Sequence, residues 1–237
     1  PGQGAAKPGM FKNELKKLPL CLKYFLEADQ WAENKNMGKI SWYISSPHLI
    51  EKQNFYAIQN LALFVLEVGL FETLKQVNKT PEMITAHSFG EYAALVSIGA
   101  IDFLTMLEIV YQREIYSPLP HETGEMFAIA CDFEYFKNLQ CPVSFTMANE
   151  NSYQQCVISI DNQNKDKMIQ FLKTHRVPYR ELDTVGRPYH SALMQNTANQ
   201  ISKWLENYPL KICPIKTAFI SSVNNQYYEK NFLFSNT

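Results

Sequence analysis

The chain predicts an α/β fold: a larger α/β body with a small split-βαβ, ferredoxin-like subdomain inserted into it. Three observations carry that prediction. A short apolar strand at 81–86 runs through a tight, serine-bearing turn into a helix. From residue 124 onward the order strand, helix, strand, strand, helix, strand appears within one short stretch. Helix and strand signals then resume at 191–208 and 217–223, so the body surrounds the small unit in sequence. Internal repeats and low-complexity linkers are absent from the sequence.

The elements follow in order. After the opening Pro1-Gly2-Gln3-Gly4, residues 11–32 read as helix, with Phe11, Leu15, Leu18, Leu22, Phe25 and Leu26 at three- to four-residue spacing. Pro19 marks a break or a new start inside it. Residues 50–75 give the strongest helical signal, with Ile58, Leu61, Phe64, Val65 and Val68 as a core stripe and Phe71 a further core position. Residues 81–86 read as a short buried strand and 90–98 as helix, and Asp102 caps a helix running to 116. In the small subdomain, strands are expected at 126–131, 143–148, 156–160 and 177–182, with helices at 133–139 and 165–175.

Composition bounds the function. A chain of 237 residues is long enough for a sizeable core, as one large domain or a main domain plus a smaller one. Twenty-two Lys+Arg against 23 Asp+Glu leave a net charge of -1, which gives no electrostatic basis for capturing nucleic acid or an anionic membrane. With 46% hydrophobic and 19% charged residues the chain is globular rather than disordered. The longest apolar stretch, 61–71, is interrupted by Glu67 and falls short of the ~20 residues that span a bilayer, so no transmembrane helix and no membrane partner are expected. The five cysteines are scattered and odd in number, which fits reduced thiols in a cytoplasmic protein better than a disulfide framework or a metal site. No secretory signal is expected. With neither an initiator Met nor a strand ahead of Pro1, the chain is expected to be cropped at its N-terminus.

The sharpest local feature is Ala86-His87-Ser88-Phe89-Gly90 between the predicted strand and helix. A nucleophile elbow needs small residues two before and two after its serine because the backbones crowd there; Gly90 meets that demand and Ala86 adds one methyl. The helix behind it aims free N–H groups at the serine, which suits an oxyanion. A serine that only caps a helix gives the same pattern. Of five histidines, His48, His121 and His175 read as ordinary surface residues, and His87 points away from its neighbour Ser88. His190 sits where the chain re-enters the body, as a base for Ser88 or as a structural histidine.

The opening P-G-Q-G resembles that of the malonyl-CoA:acyl-carrier-protein transacylase family, which includes the acyltransferase domains of fatty-acid and polyketide synthases. Residues 86–95, A-H-S-F-G-E-Y-A-A-L, are similar to the family's G-H-S-x-G-E-Y-A-A-L. Arg113 falls on the family's arginine, His190-Ser191-Ala192-Leu193-Met194 on its H-S/C-x-L-M block, and Val223-Asn224-Asn225 on its V-x-N-like strand. The matches keep the family's order across nearly the whole chain.

The resemblance implies a hydrolase-like large subdomain with a parallel-sheet core, at 1–123 and 187–237, truncated at both ends, and a ferredoxin-like subdomain at 124–186. It also implies Ser88 as nucleophile and His190 as base, with the backbone N–H groups of Gln3 and Phe89 as oxyanion hole. Arg113 would bind a malonyl carboxylate, and the bulky Tyr189 before the histidine would disfavour an α-branched acyl group. Malonyl-CoA is the substrate so implied and an acyl carrier protein the acceptor, with no bound cofactor and no metal. Asn149 and Asn151 match an N-x-N-S stretch near the cleft, where turn-capping reads equally well.

The chain departs from the pattern at Ala86 and at Asn60-Leu61, where the family has Q-P. It also stops short of a family segment whose backbone carbonyl orients the histidine. Three rivals stand beside the transferase. They are an acyl hydrolase, which Arg113 opposes; a catalytically idle docking module, which Ser88 with His190 opposes; and an α/β-hydrolase esterase, which the inserted subdomain and Gln3-Gly4 oppose.

Overall fold

The computed structural model describes residues 1–119, 123–184 and 186–235; His121 lies outside them. By its internal contacts the chain forms two units, Pro1–Ile115 with Tyr208–Thr237 and Tyr116–Asn207.

The first unit opens on a 3-10 turn, Gln3–Ala5, and a second, Leu15–Lys17, ahead of helix α1 (Pro19–Glu33). The expected helix over 11–18 is therefore not continuous. Phe11 takes a left-handed backbone (φ 56°), and Pro19 occupies the first turn of α1, where its missing N–H costs nothing. A short helix α2 (Trp42–Ser45) precedes α3 (Phe55–Gln76), which packs against α1. Nine residues between Ile58 and Val68 on α3 are buried, Phe64 completely, and its ring stacks on Phe103 at 5.6 Å. Phe71 is only half-buried and carries the Lys75 ammonium 5.7 Å above its ring, so it belongs to the edge of the core.

The run Lys52–Gln76 is long and apolar enough to cross a membrane by length and composition, longer than the 61–71 stretch in the sequence reading. The central helix of a core passes the same test, and here 56% of the apolar window is buried inside the protein.

Strand β1 (Met83–Thr85) leads to α4 (Gly90–Ser97) and α5 (Phe103–Tyr116). Asp102 caps α5 as expected, its carboxylate accepting the Thr105 N–H at 3.0 Å. Far along the chain, β6 (Ala218–Ile220) pairs parallel with β1, Ile84 opposite Phe219, and antiparallel with β7 (Tyr227–Tyr228). The expected parallel core is thus one parallel pair extended by an antiparallel strand. The expected buried strand has Met83 and Thr85 exposed, because only the face that carries Ile84 packs against the core. The expected strand 217–223 stops at Ile220, and Val223 sits exposed in the turn that follows.

In the second unit the order is β2 (Gly124–Ile129), α6 (Phe133–Asn138), β3 (Thr146–Ser152), β4 (Gln155–Asp161), α7 (Lys165–Thr174), β5 (Tyr179–Leu182) and α8 (Gln195–Glu206). The four strands form an antiparallel sheet in the order β3-β4-β2-β5. Period-2 alternation sends Phe127, Ile129, Cys156, Ile158 and Ile160 into one core with Phe136 of α6 and Met168, Phe171 and Leu172 of α7. The central strand β4 is buried on its second face too, at Val157 and Ser159. Across that face runs the segment before His190, with Arg187 and Pro188 buried and Tyr189 O accepting the Ser159 hydroxyl at 2.7 Å. A side chain at Gly124 would come within 2.9 Å of Pro188 and into the β4 backbone, so only glycine lets that segment lie so close.

Candidate active site

The turn between β1 and α4 is tight. Ser88 takes a left-handed backbone (φ 51°), uncommon for a residue with a Cβ and sustained only where the surroundings over-determine it. The amides of Gly90, Glu91 and Tyr92 donate back to the carbonyls of His87, Ser88 and Phe89 at 3.0, 3.0 and 3.2 Å. That leaves the Phe89 N–H, at the head of the helix, with no acceptor among the described residues.

Gly90 is needed for a close approach: a Cβ there would lie 2.7 Å from the Pro1 carbonyl oxygen. A Cβ on Gly2 would lie 3.2 Å from His87 Nδ1. The opening tetrapeptide therefore lies directly on the elbow, and Gln3 is brought beside it. Glu91, next in the elbow motif, ties α4 to the loop after β6, accepting the Ser221 and Ser222 hydroxyls at 3.1 and 2.9 Å.

Arg113 of α5 reaches the same place. Its guanidinium donates through one terminal nitrogen to Gln3 Oε1 at 2.9 Å and through the other to Glu114 Oε1 at 2.6 Å. Its carbon sits 5.4 Å over the ring centre of Phe89, a cation–π contact with the residue after Ser88. Asn60 of α3 completes the group, donating to the same Glu114 oxygen at 2.9 Å. Gln3 and Phe89, expected from sequence to share the oxyanion hole, and Arg113, expected to bind a carboxylate, are thus brought together. Asn60 thereby anchors Glu114.

Tyr189 and His190 belong to the second unit. His190 is exposed and, like Ser88, holds a left-handed backbone (φ 58°). Its segment is fixed by three bonds: Ser159 Oγ to Tyr189 O, Ser191 Oγ to Pro188 O at 2.6 Å, and Arg187 Nε to Pro118 O at 3.0 Å. Asn149 and Asn151 lie on β3, where the register shifts twice against β4, and the Asn151 amide donates to Gln155 at 3.0 Å. His175 closes α7, its ring 4.2 Å from that of Phe171. Among the described residues no cluster of three or more His, Cys, Asp or Glu side chains is placed to hold a metal ion.

Sequence reasoning missed Glu114, Ser159 and the burial of Arg187. For Glu114 a signal was available: Phe103, Met106, Leu107, Val110 and Glu114 continue one buried stripe of α5, and a carboxylate at its end calls for a buried cation.

A serine with a left-handed backbone between strand and helix, with an arginine stacked over the residue that follows it, defines an α/β protein with a tight strand-turn-helix at its candidate site. The chain belongs to the acyl transferase domain family, whose model matches residues 1–236. It is 29% identical over 233 residues to the malonyl CoA-acyl carrier protein transacylase of Bacillus subtilis (strain 168), covering 95% of this chain and 70% of that protein.

Among solved structures it is similar to the acyl transferase domain of SpnD in complex with a malonyl derivative, with a TM-score of 0.84 at 20% identity. That likeness covers 97% of this chain and 54% of the other, so this chain spans about half of that protein's length. It is also similar to a malonyl-transacylase in complex with its type II polyketide-synthase acyl-carrier protein, with a TM-score of 0.80 at 23% identity over 98% of this chain and 75% of the other. These likenesses establish a mixed α/β acyltransferase fold.

Proposed function

We propose that this chain transfers a malonyl group from malonyl-CoA to the phosphopantetheine thiol of an acyl carrier protein, through an acyl-serine intermediate, in fatty-acid or polyketide synthesis. One observation carries the reading: the Arg113 guanidinium is held on Phe89 and bonded to Gln3, beside the serine turn. In this reading the far end of an acyl group esterified to Ser88 meets Arg113, whose planar cation suits a carboxylate. The names of the similar proteins, a malonyl transacylase and structures bound to a malonyl derivative and to a carrier protein, support the same chemistry.

In this mechanism Ser88 Oγ attacks the thioester carbonyl carbon while its proton passes to the His190 imidazole. The carbonyl oxygen becomes an oxyanion facing the N–H groups of Phe89 and Gln3, each such donor being worth about 10²–10³ in rate. Collapse expels the coenzyme A sulfur, which takes the proton from His190. The pantetheine thiol then gives its proton to His190, attacks the ester carbonyl, and releases Ser88, which recovers the proton. Tyr189 bounds the acyl pocket against α-branching.

The same reading divides the fold into a hydrolase-like body, 1–123 and 187–237, and a ferredoxin-like subdomain, 124–186. The strand order β3-β4-β2-β5 supports the latter. A cytoplasmic location accords with five free thiols.

Intact-mass spectrometry tests the proposal. With malonyl-CoA the chain gains one malonyl group that passes to a phosphopantetheinylated carrier protein, and Ser88→Ala and His190→Ala abolish it. An ester that forms and passes to water alone indicates a hydrolase instead.

A further inference from the structure

The last position of the buried stripe on α5 holds a carboxylate. The Glu114 side chain is 3% exposed and that of Arg113 12%, so the two charges share one enclosure and sum to zero. One oxygen of Glu114 receives both the Arg113 N–H at 2.6 Å and the Asn60 amide at 2.9 Å. Asn60 comes from a different helix, so the carboxylate is pinned from two sides and cannot swing away when substrate arrives. Arg113 is in turn pinned to Gln3.

A buried guanidinium with no counter-charge penalises a neutral acyl group, which leaves the cation unpaired, and rewards a carboxylated one. With Glu114 in contact, both preferences weaken. A neutral acyl group leaves a paired cation behind it, and a malonyl carboxylate must share one guanidinium with an anion already there, at close range and low dielectric.

We propose that Glu114 is a positioning residue that sets acyl selectivity: by neutralising Arg113 it lowers the advantage of malonyl and admits short neutral acyl groups such as acetyl. The proposal rests on the reading that Arg113 meets the acyl group. Glu114 touches neither substrate nor the reacting atoms; it acts through Arg113.

The test compares loading by malonyl-CoA and acetyl-CoA as the ratio of their kcat/KM values. Glu114→Gln keeps the shape and removes the charge, and the malonyl-to-acetyl ratio rises roughly tenfold or more, chiefly through a lower KM for malonyl-CoA. Glu114→Asp keeps the charge and stays near the wild-type ratio. In an Arg113→Met background, at a temperature where both proteins are folded, Glu114→Gln leaves the ratio unmoved. A flat or falling ratio in folded Glu114→Gln overturns the proposal.

The wild-type chain gives a second reading that needs no variant. Acetyl-CoA loads within about two orders of magnitude of malonyl-CoA, since each factor of ten is only ~1.4 kcal/mol. Absence of an acetyl ester under conditions that saturate with malonyl overturns the proposal equally. The two levels separate cleanly: if Arg113→Met leaves malonyl preference intact, the function assigned to Arg113 fails. If it collapses malonyl loading while Glu114→Gln changes nothing, only the role of Glu114 fails.

Discussion

Replacing Arg113 by Met tests the buried network through stability, independently of any substrate. The substitution roughly preserves the length of the stem and removes the guanidinium, with its bonds to Glu114 and Gln3 and its contact with Phe89. The dominant loss is the counter-charge, because the Glu114 side chain is 3% exposed and water cannot replace it. Breaking a buried pair from one side costs about 3–5 kcal/mol. For a chain of this size each kcal/mol moves the melting temperature by about 2–4 °C, so a fall of roughly 6–20 °C is expected.

Thermal unfolding followed by circular dichroism measures it. The diagnostic is the double variant, Arg113→Met with Glu114→Gln, in which the stranded charge is gone; it recovers most of the loss, since Asn60 still donates to the remaining amide oxygen. A single variant that melts with the wild type, or a double variant no better than the single, refutes the claim that these charges are buried against each other.

Two further outcomes follow. Gly90→Ala drives a methyl group to 2.7 Å from the Pro1 carbonyl and displaces the opening segment that carries Gln3; malonyl loading falls by about 10²–10³, the worth of one oxyanion donor, in a stopped-time mass assay. Burial pushes the Cys156 thiol up to about 11 from 9.0, with a further push from Cys131. The folded state then holds a proton that the unfolded chain releases, so stability is full below about pH 9 and declines as pH rises towards 11. Cys156→Ala flattens that alkaline limb in urea titrations run from neutral to pH 11, and in the wild type Cys156 is the last of the five thiols to react with an alkylating reagent.

Elements with a strong period were legible from sequence alone. The stripe of α3 and the alternation of β2 and β4 gave their type, because burial on one face is what those patterns encode; β4 lies within a residue of its expected bounds, whereas α3 begins five residues later and β2 two residues earlier than expected. The 11–18 stretch misled because apolar spacing says nothing of the left-handed backbone at Phe11 or of a turn that tightens to 3-10. The strand expected at 217–223 was cut short because Val223, apolar and β-branched, lies in a turn where Asn225 takes a left-handed conformation. At the site, the serine turn was visible as a string of residues, and the motif register pointed to Arg113. The contacts that unite Arg113 with Gln3 and Phe89, and Glu114 with Asn60, join residues far apart in sequence, and no local pattern announces them. The second-face contact of Ser159 with the His190 segment was hidden for the same reason.

The most direct test of the central claim is to find where the acyl group lands. The chain is mixed with malonyl-CoA, quenched in acid, digested and mapped by tandem mass spectrometry. The account predicts a single malonyl ester on the peptide containing Ser88, lost in Ser88→Ala and sharply reduced in Arg113→Met. A malonyl group on a cysteine or on another serine, or an unmodified Ser88 peptide under saturating malonyl-CoA, contradicts it.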